Sequence, residues 1–188
     1  MQATVTLTAS ADPIVGLIRE GRHRDAIAAC AREHGAAIGR LCMALLSSQA
    51  EAEETAQEVL IAAHGALASY RGEGSLRGWL FGIARRKCAR KLETRIRRER
   101  RLELVHDAGP DAELPDEVLA ARRRARRVRA ALERLKPSER DALVLRYQGG
   151  LPYREIGEVC GIDERAARKR VSRALGKMKT LLSDEAGR

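Results

Sequence analysis

Ser69-Tyr70-Arg71-Gly72-Glu73-Gly74-Ser75-Leu76-Arg77-Gly78-Trp79-Leu80-Phe81-Gly82-Ile83-Ala84-Arg85 is the stretch on which the fold turns. Its first seven residues, with two glycines and two serines, have the composition of a loop. From Leu76 the spacing changes. Leu76, Leu80, Ile83, Ala84 and Cys88 recur at helical intervals, so one side of a helix packs on a core while Arg77 and Arg85 point outward. The helix then becomes a basic run. Between Arg71 and Arg101 stand twelve Lys or Arg against three acids, Glu73, Glu93 and Glu99, and such an excess calls for a polyanion. The chain's only Trp and only Phe, Trp79 and Phe81, lie in this helix. Rings beside arginines suit unstacked bases, which stack on aromatics while cations neutralise phosphate. The same rings at helical spacing suit a core, and both readings stand for each.

Composition widens the argument. The 188 residues carry a net charge of +10 and a pI near 10.1, and the charge is clustered, as a nucleic-acid ligand requires. The length serves one domain or two small ones. Cys30, Cys42, Cys88 and Cys160 are far apart and form no C-x-x-C pair, which reads as buried thiols in a reducing compartment. Cys30 and His34 stand four apart, but two ligands do not make a structural zinc site, so no metal is expected. No apolar run reaches the ~18 residues of a membrane span. Residues 1–12 lack the basic start and apolar stretch of a secretory signal, and a cytoplasmic location is expected. No His, Cys or carboxylate cluster has catalytic spacing and no glycine loop follows a strand, so neither an enzyme nor a cofactor is expected.

Upstream of the basic helix almost nothing favours strands. Residues 1–12 read as a disordered tail. Between Ile14 and Leu46 the apolar spacing predicts helices broken near Gly21 and at Gly35. Ser48 is a candidate N-cap, with Glu51, Glu53 and Glu54 complementing the dipole of a helix that runs to about Ala68. Ala52, Ala56, Val59, Leu60, Ala63 and Leu67 form its buried side. Glu54, Gln57 and Glu58 lie on one exposed strip, which reads either as a protein-docking surface or as capping and solubilising charge.

Downstream the chemistry reverses. Residues 102–121 contain no Lys or Arg but six acids and the breakers Gly109, Pro110 and Pro115, which reads as an acidic linker between two small domains, 13–101 and 122–183. The second domain opens with a helix from Arg122 to Leu135, stopped by Pro137. Ser138, with Asp141 three residues on, predicts a capping box for the next helix, which Gly149-Gly150 ends. Pro152 suits the start of another, and Gly161 marks a tight turn. Asp163 caps the last helix, whose stripe of Ala167, Val171, Ala174, Leu175, Met178 and Leu182 is opposed by Arg165, Arg168, Lys169, Ser172 and Arg173. A helix, a glycine turn and a helix with a basic outer face form the helix-turn-helix pattern, whose second helix enters the major groove.

These residues carry a resemblance. Ala52-Glu53-Glu54-Thr55-Ala56-Gln57-Glu58-Val59, the stretch from Tyr70 to Arg85, Leu135-Lys136-Pro137-Ser138-Glu139-Arg140, Leu145-Arg146-Tyr147 and Tyr153-Arg154-Glu155-Ile156-Gly157 together resemble regions 2 and 4 of bacterial sigma-70-family RNA polymerase sigma factors, in the extracytoplasmic-function (ECF) group. The resemblance implies an all-α fold of two small helical domains, a region 2 bundle and a region 4 helix-turn-helix. It implies a promoter-specificity factor that directs transcription initiation at minus-10/minus-35 promoters. The alternative from the residues alone is a stand-alone helix-turn-helix regulator. By the resemblance, Glu54, Gln57 and Glu58 contact core polymerase; Tyr70, Arg71, Ser75, Arg77, Trp79, Phe81 and Arg85 meet the minus-10 element; and Arg165, Arg168, Lys169, Ser172 and Arg173 face the minus-35 groove. The implied partners are core RNA polymerase, through its beta-prime clamp helices and beta flap, promoter DNA, and an anti-sigma factor, with no membrane insertion.

Overall fold

The computed structural model describes residues 12–101 and 116–186, all in helices and the turns between them. The tail read over residues 1–11, the linker residues 102–115 and residues 187–188 lie outside the described residues. The first half comprises α1 (Pro13–Arg19), α2 (His23–Leu46), α3 (Gln49–Ala66), a 3-10 turn (Leu67–Ser69) and α4 (Leu76–Arg101). The second comprises α5 (Asp116–Glu133), α6 (Pro137–Tyr147), α7 (Tyr153–Cys160) and α8 (Glu164–Ala186). The last six residues of the stretch read as linker, Asp116 to Ala121, thus belong to α5.

Local chemistry sets most boundaries. Asp12 accepts a hydrogen bond from the Ile14 amide at 2.9 Å, and Pro13 takes the first helical position, where no amide is needed. Gly21 has a φ of 74° and separates α1 from α2. Gly35 does not break α2: an interior glycine costs only about 1 kcal/mol against alanine, and the neighbouring Ala37, Ile38, Leu41 and Cys42 hold the helix by burial. Ser48 caps α3 as expected, its hydroxyl accepting from the Glu51 amide at 3.4 Å. Thr55 joins Ala52, Val59 and Ala63 on the buried side of α3, while Ala56 and Leu60 are half-buried.

The capping box expected at Ser138 does not form. Lys136 is the N-cap of α6 with no side-chain bond, because Pro137 starts the helix one residue earlier and needs no donor satisfied. Asp141 is therefore available elsewhere. Gly161, in the left-handed region, ends α7, and Asp163 caps α8 by accepting from the Ala166 amide at 2.7 Å.

In the first half α2, α3 and α4 pack on one another; in the second, α5, α6 and α7 lean on α8. The halves also touch, α4 against α7 and α2 against α6, so a single apolar cluster runs through both. Phe81, Leu80, Ile38, Leu41, Leu145, Leu151 and Ile156 are among its fully buried members. Burying each such side chain contributes roughly 1.5–3 kcal/mol.

Candidate nucleic-acid interface

Helix α8 is built as a two-faced rod. Ala167, Val171, Ala174 and Met178 are buried, and Leu175 and Leu182 half-buried, so the remaining arc of α8 faces out. Arg165, Arg168, Lys169, Ser172 and Arg173 are all exposed on that arc. Arg168 donates to Glu164 one turn back at 3.0 Å, and its guanidinium lies 4.7 Å from the centre of the Tyr153 ring. Arg146 approaches the same ring at 4.7 Å. Tyr153 at the start of α7 thus sits between Arg146 of α6 and Arg168 of α8, a contact that sequence spacing did not reveal. Gly157 lets α7 and α8 meet: a Cβ there would stand 2.6 Å from the Ile162 carbonyl oxygen.

The basic helix α4 is arranged differently. Ser75 caps it, accepting from the Gly78 amide at 2.9 Å. Tyr70 and Trp79 are half-buried and meet with ring centres 5.1 Å apart. Arg71 is exposed in the loop. Phe81 is 0% exposed, packed against Gly149 of the second half, while Trp79 keeps one side in solvent. Arg77 lies over the Phe81 ring, 5.5 Å from its centre. Arg77 and Arg85, expected to point outward, are half-buried because the second half packs over them.

Arg85 donates through Nε to Asp141 Oδ2 at 2.7 Å and through Nη1 to the Val159 carbonyl at 3.3 Å. The Ser75 hydroxyl donates to Glu155 Oε2 at 2.6 Å. A groove of about 180 Å³ remains between Trp79 and Arg86 on one side and Glu158 and Val159 on the other.

On α3, Gln57 is exposed and Glu54 and Glu58 face α4. Lys87 pairs with Glu58 at 3.0 Å, Lys91 with Glu54, and Arg95 with Glu51 at 3.3 Å, an antiparallel ladder along the two helices. Its signal was present as matched spacing, acids at 51, 54 and 58 against bases at 95, 91 and 87. Glu54 still leaves 62% of its side chain in solvent, and Ile61, on the same strip, is 72% exposed. That exposed isoleucine was also missed, although its spacing, four residues after Gln57 and three after Glu58, places it on the strip.

The cysteines hold no site. Cys30, Cys42 and Cys88 are buried and Cys160 is half-buried. Burial pushes the Cys30 thiol up to about 11, which makes it unreactive. Among the described residues no group of three or more His, Cys, Asp or Glu could hold a metal ion, and no helix is long and apolar enough to cross a membrane.

Comparison with known proteins matches two regions of the chain. The family model described as Sigma-70 region 2 matches residues 30–102, and that described as Sigma-70, region 4 matches residues 125–178. The RNA polymerase sigma factor CnrH of Cupriavidus metallidurans is 28% identical over 182 residues, 92% of this chain and 94% of the relative. Its structure in complex with the cytosolic domain of CnrY superposes with a TM-score of 0.69 at 23% identity, over 92% of this chain and 96% of that one. The ECF RNA polymerase sigma factor EcfG of Rhodopseudomonas palustris is 31% identical over 142 residues, 73% of this chain and 75% of the relative. The sigma factor RpoE of Bartonella quintana, solved with the anti-sigma factor NepR, superposes with a TM-score of 0.61 at 24% identity, covering 78% and 90%. With both regions matched in order and a relative above 30% identity spanned over most of its length, the chain belongs to the ECF group of sigma-70-family RNA polymerase sigma factors, which give RNA polymerase its promoter specificity.

Proposed function

We propose that this sigma factor divides promoter recognition between α4 and α8 and docks on core polymerase through α3. The observation that carries the reading is the basic arc of α8, all five side chains exposed beside a buried apolar stripe. Arg165, Arg168 and Arg173 have the length and fork geometry to pair with guanine edges, while Lys169 and Ser172 hold phosphate. On α4 and its loop, Tyr70, Arg71, Ser75, Arg77, Trp79 and Arg85 meet the separated minus-10 strand. Capturing an unstacked base there offsets the few kcal/mol that unstacking costs. Phe81 lies beneath this surface, buried against Gly149 of the second half.

Glu54, Gln57 and Glu58 form the polymerase-docking strip, and the solvent-facing Ile61 adds an apolar contact to it. The domain division proposed is 13–101 for the first module and 122–183 for the second, the latter extended at its start to Asp116, where α5 begins. A cytoplasmic location follows from the polymerase partner. An inhibitory protein of the kind solved with the Bartonella relative is proposed for this chain too, with co-purification from the native host as its check.

The test is run-off transcription with core polymerase on a pooled promoter library, with and without the protein, followed by sequencing of the transcripts. Defined start sites that appear only with the protein, sharing two upstream elements, are the expected result. Duplex binding without any initiation overturns the docking assignment.

A further inference from the structure

We propose that the acidic face of α6 and α7 is an internal stand-in for the promoter strand: in the free chain it occupies the minus-10-reading surface of α4, while the minus-35-reading face of α8 stays open. The inference rests on the assignment of α4 made under Proposed function.

The contacts that close α4 use the groups a nucleic-acid strand would need. Arg85 gives Nε to the Asp141 carboxylate at 2.7 Å and Nη1 to the Val159 carbonyl at 3.3 Å. A carboxylate oxygen at that distance takes the donor that a phosphate oxygen would take. Ser75, at the mouth of the helix, gives its only proton to Glu155 at 2.6 Å. Glu158 lines the groove opposite Trp79 and Arg86, where its charge repels phosphate, and its Oε2 would stand 2.7 Å from a Cβ at Gly74.

The closure is also shaped to fit. Gly149 is buried against the Phe81 ring, and a Cβ there would lie 3.0 Å from Phe81 Cε2. Beside it, Gly150 lies over the Arg77 guanidinium, 3.4 Å from a Cβ position to Nη2. Yet the polar contacts are exchangeable. Arg85 keeps 30% and Asp141 15% of its side chain in solvent, so a phosphate can replace the carboxylate without an ion being stranded in a dry interior. By contrast, none of Arg165, Arg168, Lys169, Ser172 and Arg173 is covered by the first half. The free chain therefore presents one DNA-reading face and hides the other, and whatever holds the halves apart uncovers the second.

The experiment uses the full chain, a fluorescein-labelled random single-stranded 20-mer and its duplex counterpart, and small-angle scattering of the same samples. The wild type is expected to scatter as a compact particle. The double variant Asp141→Asn, Glu155→Gln is expected to expand and to bind the single strand about tenfold more tightly, as the binding-competent fraction rises. Duplex affinity is expected to stay within about twofold, because α8 is already open. A control, Glu20→Gln with Glu33→Gln, makes the same change in net charge at residues that take no part in the Arg85–Asp141 and Ser75–Glu155 contacts and is expected to do neither. A wild type that is already extended overturns the closure without needing any variant. Equal gains for strand and duplex, or for the control, reduce the effect to net charge and overturn it as well. A variant that expands without gaining strand affinity overturns the assignment of α4 instead, and the stand-in role falls with it.

Discussion

The two helices assigned to promoter reading, α4 and α8, are both amphipathic and both basic, yet one is half covered and the other bare. On α8 the opposing stripe is buried within its own half, so the charged arc has nothing to meet. On α4 the apolar residues serve two neighbours. Leu76, Leu80 and Cys88 pack in the first half, while Phe81 reaches Gly149 of the second and draws Arg77 and Arg85 beneath α6 and α7. Periodicity shows which side of a helix is apolar; it does not show how many bodies that side must satisfy.

The sharpest way to break the comparison is at the two rings. Phe81→Ala is expected to cost about 3–5 kcal/mol in urea unfolding, the usual loss for a fully buried phenylalanine. Trp79→Ala, at a half-buried ring, is expected to cost only about 1–2 kcal/mol. Per folded molecule it should reduce run-off transcription more than Phe81→Ala does. Equal stability losses would mean that Trp79 is core as well.

On the bare helix the opposite pattern is expected. Arg165→Glu with Arg168→Glu should lower initiation at a minus-35-dependent promoter about a hundredfold, since each lost base contact is worth about 1–3 kcal/mol. The unfolding midpoint should hardly move, because both side chains are exposed. Gly157→Ala comes next. Its Cβ would press on the Ile162 carbonyl, and a destabilisation of about 1–3 kcal/mol is expected, confined to the second half in hydrogen exchange.

The smallest effects come from acid, and they separate the halves by pH. His34 on α2 is buried and its Nε2 makes no hydrogen bond, so burial holds its pKa below the usual histidine value near 6.5. Its neutral form is the one the fold accepts. Stability is therefore whole above about pH 6.5 and falls as pH drops toward the lowered value. Glu139 on α6 is bonded through both oxygens to Lys177 Nζ at 2.8 Å, which holds its pKa below the ordinary glutamate value near 4.3. Its contribution persists above that value and is lost only as pH falls through the lowered one. Acid titration followed by residue-resolved exchange should show the first half loosening before the second. Simultaneous loosening would argue that the shared core makes them one cooperative unit.

Much of this was legible in the sequence for local reasons. Ser48 and Asp163 are caps that act on amides within three residues, Gly21 and Gly161 supply left-handed turns, and the stripe of α8 repeats at helical spacing. Where the reading departed, a stronger constraint prevailed. Gly35 is carried through α2 by the burial of its neighbours, and Pro137 displaced the cap from Ser138. The burial of Arg77 and Arg85 depends on Gly150, Asp141 and Val159, more than fifty residues away along the chain, and no window of local spacing contains that information.

The aromatic seat under the recognition helix has an entropic consequence. A free arginine loses on the order of 2 kcal/mol of rotamer freedom when a base edge fixes it. Arg168, resting on the Tyr153 ring and tethered to Glu164, has already surrendered part of that freedom before DNA arrives. The penalty for ordering falls on folding rather than on association, so under the proposed assignment the helix meets the groove with one of its forks already aimed.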